Sequence, residues 1–144
     1  MPSRWGLTNG VPAAPAFILK TDVAETNKSV AESAWQIGLD QLAAGLPEEA
    51  VRSFRSALSA DSTHLEAHHG LICALRDAGR LEQSVAAALA LTAISPHDPL
   101  AHTALSISLQ HAGHVPEAEA AAARARILEW KKQLQSPPDE GPSL

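Results

Sequence analysis

The residues best able to do chemistry in this 144-residue chain are its seven histidines and single cysteine. His64 and His68 stand i, i+4 with His69 adjacent, a spacing that puts two imidazoles on one side of a helix, where a transition metal could take both. A closed site needs two further ligands. His97, His102, His111 and His114 lie farther along, and Cys73, about one turn beyond His68, stands on a different face from it. The reading that fits is polar helix starts and partly buried histidines, with no metal. Cys73 as a nucleophile would need a base and an orienting group converging on it, and its apolar surroundings suit a small packed residue instead. The acid pairs Glu48-Glu49 and Glu117-Ala118-Glu119 sit at expected helix starts, where the positive end of the helix dipole favours carboxylates without any catalytic role. The chain has no glycine-rich phosphate loop and no Gly-x-Ser-x-Gly turn. No enzymatic activity and no cofactor is expected.

Composition narrows the classes further. The net charge is −5 with neutral histidines, and the basic residues are scattered. No stripe of Lys and Arg is available to neutralise phosphates, so nucleic acid is not expected as a partner. No apolar run reaches the ~20 residues of a membrane-spanning helix. The N-terminal stretch has prolines at 12 and 15 and no uninterrupted apolar core, so it does not read as a signal peptide. With one cysteine no internal disulfide can form, and a cytoplasmic location is the expectation.

What must position any functional side chain is a repeat. Ala44-Gly45, Ala78-Gly79 and Ala112-Gly113 recur at a spacing of 34 residues. With position 1 of successive units at Ala31, Leu65 and Pro99, position 7 is Ile37, Leu71 and Leu105, and position 20 is Ala50, Ser84 and Ala118. Position 24 is Phe54, Ala88 and Ala122, and position 27 is Ala57, Leu91 and Ala125. Apolar or small residues at i, i+3, i+4 and i+7 describe helices that bury one stripe. Each Ala-Gly ends a first helix, glycine closing it in the left-handed conformation. A second helix restarts at Pro47-Glu48-Glu49, Leu81-Glu82-Gln83 and Val115-Pro116-Glu117. Ser29-Val30-Ala31-Glu32 has the form of a capping box for the first helix, and Asp98-Pro99 supplies an N-cap followed by an N1 proline.

These residues resemble the tetratricopeptide repeat family. The likeness rests on the 34-residue period, the large residue at position 7, the small one at position 20, Ala57 and Ala125 at position 27, and Pro96 at position 32 of unit two. It covers about residues 31–130. The departures are Ala34, His68 and His102 at position 4, Gly38, Ile72 and Ser106 at position 8, and Gln41, Leu75 and Leu109 at position 11, where the family often has an aromatic residue. The fold the resemblance implies is all-α, a right-handed superhelical array of three helix-turn-helix hairpins (about 31–64, 65–98 and 99–132) with an extended last helix. The array spans 29–135, between an irregular apolar N-terminal arm over 1–28 and a disordered tail over 136–144.

In that family the first helices line a concave groove. Residues placed there by the resemblance include Trp35, Leu39 and Leu42 from unit one, His69, Cys73 and Arg76 from unit two, and Thr103, Ile107 and Gln110 from unit three. None of the positions that hold a carboxylate in the co-chaperone branch is Lys, Arg or Asn here, so an acidic C-terminus would find too few charge-assisted donors. An apolar or amphipathic polypeptide segment is the expected ligand. The arm residues Trp5, Phe17, Ile18 and Leu19 are costly to leave in water, roughly 1.5–3 kcal/mol each. They should be covered, either by the chain's own groove or by a partner. Two functions follow: a non-catalytic protein-interaction adaptor, or a permanent structural subunit of a larger complex anchored through the arm.

Overall fold

A computed structural model of the chain describes residues 16–136. They form six helices, α1 (Ala16–Ala43), α2 (Pro47–Ala60), α3 (Leu65–Asp77), α4 (Leu81–Ile94), α5 (Pro99–His111) and α6 (Val115–Gln135). The register is that of the sequence repeat. α2, α4 and α6 begin at Pro47, Leu81 and Val115, and α3 and α5 begin at Leu65 and Pro99. The first helices end alike. Gly45, Gly79 and Gly113 take φ of 77°, 77° and 86°, and each donates its N–H to the carbonyl three residues back, on Leu42, Arg76 and Gln110. The following residues, Leu46, Arg80 and His114, donate across the turn to Gln41, Leu75 and Leu109, each at 2.8 Å. This pair of bonds satisfies carbonyls that the helix end leaves free. The departure at position 11 therefore leaves the turn intact, since that residue contributes its carbonyl.

Each helix packs on its neighbours in sequence; α1 also packs on α3, and α3 on α5, whereas α2 and α4 meet only through side chains, Arg55 donating to Gln83 at 3.4 Å. Three hairpins stacked in this way curve with the first helices inside. One core cluster joins Ile72, Ala88 and Leu91 of unit two to Ala101, Leu105 and Leu109 of unit three, and another gathers Val51, Phe54, Leu71 and Leu75.

Residue size at positions 8 and 24 is traded between units. Phe54 is fully buried. A Cβ at Gly38 would stand 2.6 Å from its ring and one at Gly70 2.5 Å, so two bare glycine backbones form the slot that holds it. In unit two the exchange is reversed, with Ala88 at position 24 and Ile72 at position 8, both buried.

Two expectations are corrected. The N-terminal segment over 1–28 is not irregular throughout, because α1 is already helical at Ala16, so Ser29 lies inside the helix and caps nothing. No glycine or proline stands between Ala16 and Gly38 to stop it. Of the arm residues, Phe17, Ile18 and Leu19 fall on the first turns of α1, while Trp5 lies outside the described residues, as does the tail beyond Ser136. Ile37 is also not a core residue. It is 53 % exposed, against 8 % for Leu71 and for Leu105 at the same position, because no unit precedes it among the described residues to cover that face. Among the described residues no helix is long and apolar enough to cross a membrane.

Candidate peptide-binding groove

The inner faces of α3 and α5 line an open cavity of about 270 Å³. His69, Cys73 and Arg76 line it from α3, and Thr103 and Ile107 from α5. These five were expected there from their repeat positions. Helical spacing explains the convergence, since residues four apart on each helix point the same way and the 34-residue period keeps both helices in phase. Three more lining residues, Ile72, Leu100 and Ala104, are not among the expected contact residues. Leu100 carried a usable signal, a large apolar residue at the start of a first helix beside Thr103 and one turn short of Ala104; it is 64 % exposed.

The cavity's one cation is Arg76, whose guanidinium donates to Cys73 Sγ at 3.6 Å. The thiol is partly buried. Thr103 turns its hydroxyl back to the Pro99 carbonyl at 3.0 Å and so shows its methyl side more readily than a free donor. The walls are thus chiefly hydrocarbon and sulfur with a single positive head group.

The other expected contact residues are not brought to this cavity. Trp35 and Leu42 pack against the cluster around Phe54, and Trp35 also rests on the small cluster of Ala31, Ala57 and Ala67. Its ring lies 5.6 Å from that of His64. Trp35 is thus partly buried and outside this cavity, one part of its ring closing the hairpin of unit one onto α3. Leu39 and Gln110 are exposed on their helices, away from the lining.

Four of the seven histidines have side-chain hydrogen-bond partners, and three of these sit where first helices begin. His64 caps α3, its Nδ1 accepting the Ala67 N–H at 3.1 Å, which leaves Nε2 to carry the proton toward Glu32 at 3.2 Å. At position 4, His68 Nε2 donates to the Ser62 carbonyl at 2.8 Å and His102 Nε2 donates to the Pro96 carbonyl at 2.9 Å. Ser62 and Pro96 both occupy position 32 of the preceding unit. Histidine here ties each first helix to the loop before it. Among the described residues no three His, Cys, Asp or Glu side chains stand close enough to hold a metal ion.

With hairpins, turns and groove in place, residues 41–107 match the family model described as tetratricopeptide repeat. The described residues have the fold of a tetratricopeptide-repeat array. Solved structures share this fold. A crystal structure of MamA superposes with a TM-score of 0.68 at 18 % identity, covering 74 % of this chain and 63 % of that one. A crystal structure of the Yersinia enterocolitica type III secretion translocator chaperone SycD, in an alternative dimer, gives 0.64 at 18 % identity, covering 74 % and 84 %. The array thus spans less than two thirds of that MamA chain, and at such identities the likeness speaks for the fold alone. No curated protein matches the chain in sequence.

Proposed function

We propose that this tetratricopeptide-repeat array is a non-catalytic protein-interaction module that captures an apolar or amphipathic polypeptide segment between α3 and α5. The observation that carries the reading is the apolar character of the cavity around Cys73 and Ile107. Burying side chains there releases about 25 cal/mol per Å² of apolar surface, while Arg76 supplies one directional contact for a backbone carbonyl or an acidic residue of the ligand. A ligand helix would offer anchors at i, i+3 or i+4, and i+7. Tight recognition of a free C-terminal carboxylate is disfavoured, because no second cation or amide side chain lines the cavity.

The test is selection from a displayed peptide library against the full chain, followed by Cys73→Glu, which places a charge on the floor of the cavity. Apolar, helix-forming peptides should be enriched, and the variant should lose them while its circular dichroism stays helical. Enrichment of acidic C-terminal sequences, or peptides bound equally by the variant, would overturn the reading.

A further inference from the structure

The two ends of the array carry the halves of one more inter-unit junction, and we infer that a second copy of this chain supplies the missing half at each end, so that copies stack head to tail. The surfaces involved lie outside the α3–α5 cavity, apart from the α5 residues the two grooves share.

At the trailing end, α5 and α6 leave open a groove of about 350 Å³ in which Ser106, Ala122 and Ala125 are central. Their counterparts in unit two, 34 residues earlier, are Ile72, Ala88 and Leu91, which are covered by Ala101 and Leu105 of α5. The open groove is therefore the seat that a following first helix takes inside this molecule. At the leading end, α1 presents the matching face. Ile37 is the counterpart of Leu105 and stands 53 % exposed. Both halves exist, and within one copy they are too far apart in the array to meet.

The loops next to these faces agree. At both internal junctions the residue before a second helix reaches back to an acid near the start of the preceding second helix. Arg80 holds Glu48 with two bonds of 2.7 and 3.1 Å, and His114 meets Glu82 at 2.8 Å. The residues that would meet where two copies join are Leu46 and Pro116, the counterparts of Arg80 and Glu82. The ion pair is replaced on both sides at once by apolar, exposed residues, which is the change expected of two surfaces that face each other.

The terminal helices extend in the same sense. α2 and α4 stop at Ala60 and Ile94, the same repeat position as Leu128, whereas α6 runs on to Gln135 and α1 begins well before Ala31. A second helix and the next first helix run antiparallel, so the two extensions would lie side by side for roughly 10 Å at the helical rise. Each carries an exposed apolar stripe that nothing among the described residues covers. On α1 it is Val23 and Val30, 57 % and 50 % exposed, and on α6 it is Trp130 and Leu134, 62 % and 67 % exposed. The interface is heterologous, different patches meeting, and it leaves a free end on every added copy.

Sedimentation velocity on the full chain tests this. The wild type should gain mass with concentration. Ile37→Glu, which damages only the leading face, and Ala122→Glu, which damages only the trailing groove, should each be monomeric, and an equal mixture should form a dimer and nothing larger. Leu46 and Pro116 provide a check that leaves both helix faces untouched. Leu46→Arg should weaken association, and Leu46→Arg with Pro116→Glu in one chain should restore it in a salt-sensitive form, by rebuilding the internal pair. A wild type that stays monomeric at every concentration would overturn the inference and leave these faces to another segment or partner. So would an Ala122→Glu chain that still self-associates, which would mean that leading faces meet each other, or a failure of the Pro116→Glu rescue.

Discussion

Ser84 Oγ and Ser108 Oγ lie 2.7 Å apart in a fully buried contact between α4 and α5, and Ser84 Oγ also stands 3.2 Å from the Ile72 carbonyl. A hydroxyl has one proton. Ser84 spends its proton on Ile72, so Ser108 must be the donor to Ser84, and the three groups form one directed chain from α5 through α4 to α3. This polar thread crosses the junction between units two and three within an otherwise apolar core.

The direction of the chain sets unequal costs. Ser84→Ala strands the Ser108 hydroxyl and should cost about 1–2 kcal/mol, in the range for an unsatisfied buried donor. Ser108→Ala leaves Ser84 still bonded to Ile72 and should cost less. The double variant should cost clearly less than the sum, because the orphaned group is gone. Urea denaturation of the three variants checks this, and simple additivity would show that the hydroxyls act independently.

Gly70 and Phe54 give a prediction in which the sign reverses. Alanine in place of a helix-interior glycine gains about 1 kcal/mol of propensity, but here its Cβ would stand 2.5 Å from the Phe54 ring. Overpacking of a closed core costs about 1–3 kcal/mol. The ring cannot yield, because Gly38 confines its other side. Gly70→Ala should therefore lower the melting temperature of the wild type and raise it in a Phe54→Leu background. A stabilising effect in both would mean that the slot is looser than its geometry.

The repeat period, the three Ala-Gly turns and the helix starts were legible because they depend on local chemistry: a glycine that takes positive φ, a proline at N1, an acid near the dipole. The five cavity residues were legible because a fixed period carries one groove position into the next. What failed to show depends on what each residue meets. Ile37 has the same character as Leu71 and Leu105, and only the absence of a preceding unit exposes it. Trp35 sits at an inward position, yet Ala31, Ala57 and Ala67 are so small that the indole sinks onto them. The helical start of α1 was hidden because Val23, Val30 and Ile37, spaced by seven, form a stripe that nothing in the described residues covers.

The two position-4 histidines should differ in weight although their bonds are alike. His68 is 8 % exposed, whereas the His102 bond to Pro96 is solvent-accessible. Replacement by phenylalanine keeps the ring and deletes the donor. His68→Phe should cost about 1 kcal/mol, and His102→Phe a few tenths, because water can replace the lost donor there. Added zinc should leave the wild-type melting temperature unchanged, since among the described residues neither ring has two further His, Cys, Asp or Glu ligands close enough to share an ion. A zinc-dependent rise that His68→Phe removes would contradict this assignment.

Asp61, at the end of α2, makes the clearest acid-side prediction. Its carboxylate accepts the Thr63 hydroxyl at 2.7 Å and the Thr63 N–H at 3.1 Å, and these bonds, the hydroxyl first, hold its pKa below the ordinary 3.8. The folded value is the lower of the two, so the contribution to stability is fully present above the unfolded value and is lost as pH falls through the folded one. The group is at the surface, so the effect is read best at the residue itself. In an NMR titration the Asp61 carboxyl should titrate below the ordinary aspartate range, and Thr63→Val, which deletes the hydroxyl and keeps the N–H, should move it most of the way back. An unchanged midpoint in the variant would assign the shift to the backbone bond and to the nearby His64 and Lys28 charges instead.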